Sequence, residues 1–399
     1  MKVHPEDWRR RARALLVDHP RGHLRVGDLI DHAELPRRDC VLPWTRLELS
    51  TRRFLGPCCA DFQREPVRVG GSFADAWNGS VQRSFRRALS RAGHPETCRE
   101  SCPTLRSGRE RLAEMQLRGG SAPFVENQLM VLEDLLEGRE QVRGQPLELM
   151  VPPTTFCNYD CLMCEWGEVG TLEDELSAEF YDALAPLLPS VRALEVAGGE
   201  PLASPIFRDF LLRLDRDIYP DLRISLVTNG SYLSPGHPIL ERVPFSTIII
   251  SLNAASPETY AAVNRGLAFE RVRGNLDALL EARRRGSLRG DIIYSMVLLK
   301  QNRHEIAAFV ELAERDDVRV RFMLPMFDRN RQSVMTDEQT MREVLHELDR
   351  AAERLNERGE TRQAQGVLGE ADVLRERLAQ RLFEPLPDGR ADPQDEVEP

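Results

Sequence analysis

Three cysteines in the spacing C-x3-C-x2-C (Cys157, Cys161 and Cys164) constrain this chain more than any other feature. They lie in the run Phe156-Cys157-Asn158-Tyr159-Asp160-Cys161-Leu162-Met163-Cys164-Glu165. An extended apolar segment, Leu147 to Val151, precedes them and reads as a strand. A [4Fe–4S] cubane is normally held by four thiolates, so three leave one iron open to a ligand from outside the protein. The competing reading is a zinc knot or unrelated buried thiols. Zinc wants a fourth Cys or His, and no histidine lies nearby. The count of ligands favours a cluster.

Composition sets the context. A chain of 399 residues is long enough for two domains with appendages. With 41% hydrophobic and 30% charged residues it is ordinary globular material, and no apolar run is long enough to span a bilayer. The start MKVHPEDWRRRARALL lacks a signal-peptide apolar core, which predicts a cytoplasmic protein. In that reducing compartment eight cysteines read as metal ligands or reactive thiols rather than disulfides. The net charge of −10 hides an asymmetry, because residues 1–120 carry 23 Lys/Arg against 15 Asp/Glu and the remainder 31 against 49. A basic first third suits an anionic substrate or redox partner, and equally describes a solvated surface. No basic stripe with interleaved aromatics occurs, so neither nucleic acid nor a membrane is an expected partner.

Along the chain, residues 5–18 read as a surface helix. From Cys40 to Pro103 runs an irregular cysteine-bearing region with a strand-like Trp44–Leu49 and helices over Phe73–Trp77 and Val81–Arg91. Residues 123–140 read as an amphipathic linking helix. From Leu147 onward, strands and helices alternate. The strand-like runs are Leu147–Val151, Ala193–Val196, Arg223–Val227, Thr247–Leu252, Ile292–Leu299 and Val318–Leu324. Helical patterns cover Ser177–Leu188, Ile206–Arg216, Pro257–Val263 with Glu270–Arg285, and His304–Arg315. Alternation of this kind predicts an α/β fold with a parallel sheet, whose ligands gather at the carboxyl ends of the strands. Charged helices over 337–355 and 359–382 follow, as a hairpin on the barrel or an interface. The tail from Pro385, rich in proline and acid, reads as disordered.

The cysteine motif, placed after the first strand and one β/α unit before Gly198-Gly199-Glu200-Pro201, resembles the radical S-adenosylmethionine (SAM) superfamily over roughly residues 145–325. The resemblance implies a partial (β/α)6 barrel. It also implies that SAM chelates the open iron and that Gly198, Gly199, Glu200 and Pro201 bind its amino group, since glycines allow close approach and a carboxylate suits an ammonium. By the same resemblance Thr228 and Asn229 hold ribose and methionyl groups, and Ser251 and Arg265 the carboxylate. Asn253 ends the same strand, and Met163 lies near the adenine. Val297 and Met323 either flank the adenine or are barrel core. Asn253, Tyr294, Glu195, Asp291 and Arg321 are polar candidates for substrate contact or for rim and packing.

Five further cysteines precede the barrel. Their order, Cys40-x2-Pro43-Trp44, Cys58-Cys59, Asp75-Ala76-Trp77-Asn78, Arg86 and Cys98-x3-Cys102-Pro103, resembles the SPASM/twitch auxiliary-cluster region, here placed N-terminal to the barrel. It departs from the family pattern in having Arg53 where a glycine is usual, with Gly56 nearer the pair. The resemblance implies a second [4Fe–4S] cluster on Cys40, Cys98, Cys102 and one of the pair, with Cys58 preferred; four thiolates also suit zinc. One of Cys58 and Cys59 is then spare, as a hydrogen-atom donor or a buried structural thiol.

The expected organisation is an auxiliary domain over 1–120, a linker helix over 121–145, the core over 146–328, a helical extension over 329–384 and a tail over 385–399. The expected activity is hydrogen abstraction from a carbohydrate or small-molecule carbinol carbon, with epimerisation in oligosaccharide or aminoglycoside antibiotic biosynthesis ahead of two alternatives. These are alcohol dehydrogenation, with the auxiliary cluster accepting the electron, and peptide modification. A flavodoxin or ferredoxin type of reductant is the expected electron source. An electron-transfer or scaffold protein is the reading outside enzymology, and a SAM-binding motif argues against it.

Overall fold

The computed structural model describes residues 5–19, 22–49, 55–56, 73–91, 98, 111–164, 175–266, 268–325 and 330–383. Cys58, Cys59, Cys102 and the tail from Pro385 lie outside them. The chain divides into two compact units. The first comprises Met1–Thr155, Thr171–Leu226 and Glu241–Ser246; the second comprises Phe156–Gly170, Val227–Leu240 and Thr247–Pro399.

In the first unit β1 (His23–Arg25) pairs antiparallel with β4 (Gln116–Arg118). The remaining strands lie in the order β3 (Leu55–Gly56), β2 (Arg46–Leu49), β5 (Glu148–Val151), β6 (Ala193–Val196) and β7 (Arg223–Thr228). All these neighbours are parallel except β2 and β3, which form an antiparallel pair in the register Glu48↔Gly56. Alternate residues Leu47, Leu49, Leu149, Val151, Leu194, Val196, Ile224 and Leu226 are buried on one face. Each contributes about 1.5–3 kcal/mol. The other face carries Arg46, Glu48, Glu148 and Glu195. The strand-like Trp44–Leu49 segment therefore joins the sheet that holds the first barrel strand, through Arg46↔Glu148.

The second unit holds parallel strands β8 (Phe245–Ser251), β9 (Asp291–Val297) and β10 (Arg319–Met323), with helices Pro257–Asn264, Phe269–Arg284 and Ile306–Arg315 between them. The expected α/β class, parallel strands with interleaved helices, is the one observed. Helices Glu338–Glu357 and Thr361–Gln380 pack on each other, and the latter lies against β10. Gln363 Oε1 accepts from Val320 N at 2.8 Å, and Glu370 Oε2 from Leu324 N at 3.4 Å. Side chains thus satisfy backbone groups of a strand that would otherwise present a bare edge. Among the described residues no helix is long and apolar enough to cross a membrane.

Among the described residues Ser177, Ser204, Ser256 and Asp337 each cap the start of an α-helix with a side-chain oxygen. Helix Ala122–Glu137 starts at Ser121 with proline in its first turn and ends at Gly138, whose φ of 64° is left-handed. The expected Ser177–Leu188 helix becomes an α-helix over Ala178–Leu184 and a 3-10 segment over Ala185–Ser190. Pro186 and Pro189 supply no N–H to continue it.

Arg86 knots the first unit. It is fully buried and donates to the carbonyls of Pro43 (2.8 Å), Trp77 (3.0 Å) and Glu140 (3.1 Å) and to Asn78 Oδ1 (3.1 Å). Its guanidinium stacks 4.4 Å from the Trp77 ring centre. Burial pushes its pKa down to about 9, against the pull of the Asp134 charge. Trp44 Nε1, Trp77 Nε1 and Asn78 Nδ2 bond the carbonyls of Arg139, Gly144 and Val142, so the same cluster clamps the loop before β5. Arg86→Lys keeps the charge and loses the planar fork. Urea denaturation should show a loss of about 2–4 kcal/mol, larger than for a surface arginine such as Arg87.

Candidate active site

The cysteine loop belongs to the second unit and has no regular secondary structure. Two backbone bonds fix it to the end of helix Pro257–Asn264: Leu162 N to Val263 O at 2.7 Å, and Asp160 N to Arg265 O at 2.9 Å. Tyr159 OH lies 3.0 Å from Tyr260 OH. A Cβ on Gly266 would come within 2.5 Å of the Tyr159 ring, so only glycine lets the chain pass there. Asn330 donates to the Leu162 carbonyl.

Cys157, Cys161 and Cys164 are all half-buried on this loop, and Cys164 N bonds Cys161 O at 3.0 Å. Burial pushes the Cys161 thiol well up, with Cys164, Cys157 and Asp160 adding to it and Arg265 opposing. The three sulfurs therefore feel one another. Asn229 Nδ2 donates to Cys157 Sγ at 3.8 Å and to Asn158 Oδ1 at 2.9 Å, and Asn158 Nδ2 reaches Ser231 Oγ at 3.0 Å. Asn264 Oδ1 accepts from Cys161 Sγ at 3.7 Å. Three thiols on one loop, with an amide donor to sulfur, fit a cluster with one open iron. Hydrogen bonds to sulfur tune such a centre.

Asn253 organises the next shell. It ends β8 at a φ of 59°, a left-handed conformation that asparagine tolerates. It is buried, and its amide is fully occupied. Nδ2 donates to Asn264 Oδ1 at 2.9 Å, and Oδ1 accepts from Val297 N at 2.9 Å. Asn302 Nδ2 bonds the carbonyls of Asn253 and Val297, each at 2.8 Å. Asn253 thus braces β8 to β9 and to the residue beneath Cys161. Asn264 and Asn302, which sequence reasoning missed, are recognisable only through these contacts.

Arg265 follows, half-exposed and 3.7 Å from Asp160, a pair worth little in water. Ser251 sits half-buried at the carboxyl end of β8, and Thr228 Oγ1 accepts from Gly230 N at 3.1 Å. Met163, expected at the adenine, and Val297, expected there or in the core, pack on one small cluster of Leu162, Val263 and Leu299. Met323 ends β10, its carbonyl taken by Leu298 N at 2.8 Å.

Other polar candidates lie elsewhere. Tyr294 is buried and donates to Asp316 Oδ2 at 2.7 Å; burial raises its pKa, and the Asp316 charge adds to the rise. Asp291 opens β9 at its amino end and pairs with Arg319. Arg321 is exposed on β10.

In the first unit Gly198-Gly199-Glu200-Pro201 follows β6. Gly198 has a φ of 150°, and a Cβ there would meet Thr154 O at 2.9 Å and Pro152 Cβ at 3.1 Å. Gly199 N bonds Thr154 O at 3.0 Å. Glu200 is buried, and its Oε1 accepts from Leu202 N at 3.0 Å. Glu195 Oε2 accepts from Arg46 at 2.7 Å, with Glu148 and Glu48 each 3.4 Å from the same guanidinium. Burial pushes the Glu48 carboxyl up against the pull of Arg46. Cys40 and Cys98 are half-buried, also in this unit.

Residues 151–313 match the Radical SAM superfamily family model. That stretch is similar to a radical SAM domain. Such a domain implies SAM and a [4Fe–4S] cluster. Curated relatives include the GTP 3′,8-cyclases of Chlorobaculum tepidum, 31% identical over 178 residues, and Hydrogenovibrio crunogenus, 30% over 187. These matches cover 44% and 45% of this chain and 52% and 54% of the relatives. The chain spans about half the length of the curated relatives it matches. Similar solved structures include Streptococcus suis SuiB bound to S-adenosylmethionine, with TM-score 0.42 and 14% identity over 66% of this chain and 52% of SuiB. Another is anSMEcpe with bound AdoMet, with TM-score 0.44 and 17% identity over 54% of this chain and 62% of that one.

Asn253→Ala puts a Cβ-bearing residue without a local amide at a positive φ and orphans the Val297 N–H. The variant should lose about 2–4 kcal/mol in denaturant unfolding. Asn253→Gly, which removes only the backbone strain, should recover about 1 kcal/mol of that.

Proposed function

We propose that Cys157, Cys161 and Cys164 hold the cluster, with Gly198 to Pro201, Thr228, Asn229, Ser251 and Arg265 on SAM and with Met163 and Val297 at its adenine. The observation that carries this reading is the braced loop itself, three half-buried thiols with an asparagine donor at Cys157. With both groups bound, the site supplies a 5′-deoxyadenosyl radical that takes a hydrogen atom from carbon. The loose Asp160 pair leaves the Arg265 guanidinium able to turn to a carboxylate. Gly198 lets the backbone turn tightly against Thr154 and Pro152, which sets where the chain of Gly199 and Glu200 runs.

The substrate in this reading is a carbohydrate or small hydroxylated molecule, and the outcome is epimerisation. The substrate radical regains hydrogen on the opposite face from the thiol of Cys58 or Cys59. Cys40, Cys98, Cys102 and the other member of the pair hold a second cluster within an N-terminal domain over 1–120. A flavodoxin or ferredoxin type of protein supplies the electron. A second reading, ring closure on a nucleotide, is favoured by the GTP 3′,8-cyclase relatives.

Anaerobic iron and sulfide analysis should find about eight irons per chain, falling to about four in the Cys157/Cys161/Cys164→Ala variant. About four falling to none would remove the auxiliary cluster. Dithionite-reduced protein should release 5′-deoxyadenosine from SAM; intact clusters with no release would sink the enzyme reading. Deuterium from D2O entering one product carbon marks epimerisation, whereas a cyclised nucleotide without exchange marks the second reading. Gly198→Ala should raise the KM for SAM at least about tenfold, because its Cβ meets the Thr154 carbonyl.

A further inference from the structure

The first unit holds a cleft that the radical chemistry does not use. Its volume is about 670 Å³, and its walls include His23, Gln116, Arg118, Phe124, Pro220 and Arg223. That is within the range of small-molecule sites, roughly 300–1,000 Å³. Arg118 ends β4 and Arg223 begins β7, so the cleft lies at the amino ends of the parallel strands. Arg192 immediately precedes β6, and Gly198 to Pro201 follow it, so the arginines and the glycine motif mark opposite ends of one strand. In parallel α/β sheets substrates gather at the carboxyl ends. The cleft is at the other end.

Its charge is net positive, with Arg118 and Arg223 against Asp221. Among the described residues the side chains of Arg118 and Arg223 make no hydrogen bond or ion pair. Burial, with the like charges of Arg223 and Arg192 adding to it and Glu148 opposing, pushes Arg118 down to about 10. Glu148 is itself taken by Arg192 and Arg46. The one carboxylate in the wall, Asp221, accepts from Ser121 N at 3.0 Å and Ser121 Oγ at 2.5 Å, which ties it to the start of helix Ala122–Glu137. Two guanidiniums that outnumber the one carboxylate in the wall and pair with neither it nor each other cost folding energy, and a bound oxyanion relieves that cost. Phe124 and Pro220 provide an apolar wall for an organic group beside the anion.

We propose that this cleft binds a soluble phosphate ester or pyrophosphate, gripped by Arg118 and Arg223, at a site separate from that of SAM. Full-length protein, prepared anaerobically, is titrated with inorganic pyrophosphate at ionic strength held constant with chloride, reading Tm and calorimetric binding. Wild type should gain Tm with pyrophosphate, and R118Q/R223Q should bind at least about tenfold more weakly. Without the anion the double variant should melt at or above the wild-type temperature, because the repulsion is gone. An arginine with a purely structural role would give the opposite sign, so a lower Tm of the variant overturns the proposal. So does a pyrophosphate response equal to that of chloride, or one retained in the variant. Competition of pyrophosphate with SAM would place the anion at the glycine motif and also overturn it. Vesicles containing phosphatidylglycerol test the other source of phosphate: co-sedimentation lost in R118Q/R223Q would assign the arginines to a lipid surface instead.

Discussion

Two backbone hydrogen bonds hold the cysteine loop, and the arrangement of its thiols depends on them. Residues 156–164 contain no helix or strand, so apart from the turn bond from Cys164 N to Cys161 O the distances between Cys157, Cys161 and Cys164 depend on contacts from elsewhere in the chain. Ordering such a segment costs about 1–2 kcal/mol per residue. The bonds from Asp160 N and Leu162 N to the carbonyls of Arg265 and Val263 run alternately along the loop and lay it against the end of a buried helix. Leu162 then packs on Val263 and Leu299, which adds apolar burial to the same seam. The cysteines project from a backbone that is anchored between them rather than at them.

Asparagine does most of the remaining bracing. Asn229, Asn253, Asn264, Asn275 and Asn302 are all buried, and each bonds backbone, a neighbouring amide or a cysteine. A primary amide offers two donors and an acceptor without charge. If the cluster and SAM sit where we propose, neutral braces leave the local field to those groups. A buried Asp or Lys in the same places would need its own partner or a shifted pKa. On the cysteine loop and the residue that ends its supporting helix, charge is carried by Asp160 and Arg265, which are half-exposed and loosely paired.

Much of this was legible in the sequence because the signals are local. The six expected barrel strands appear within two residues of their predicted ends, since alternation and β-branched runs are short-range properties. Cysteine spacing likewise depends on ligand count alone. Long-range pairing was not legible: β2 meets β5 across about a hundred residues, and nothing in Arg46-Leu47-Glu48-Leu49 names that neighbour. Nor could sequence tell that Tyr294 reaches Asp316, or that Asn253 is sealed by four hydrogen bonds, since period-two alternation gives a face and not an occupant. Arg86 was noticed as part of a motif, but its clamp on Pro43, Trp77 and Glu140 becomes visible only once those carbonyls converge.

The two ends of β6 differ in chemistry, and that difference limits how they can communicate. Its carboxyl end leads into glycines and a buried glutamate, while its amino end follows an arginine beside Arg118 and Arg223. Coupling between such ends requires an element with two arrangements that each ligand favours differently. A short strand paired in parallel on both sides, with Leu194 and Val196 fully packed, offers no second arrangement. An anion at the amino end therefore acts through stability, adding RT ln(1 + [L]/Kd) to folding while leaving SAM affinity unchanged. Relief of repulsion between arginines is a local energy, and a stiff sheet keeps it local.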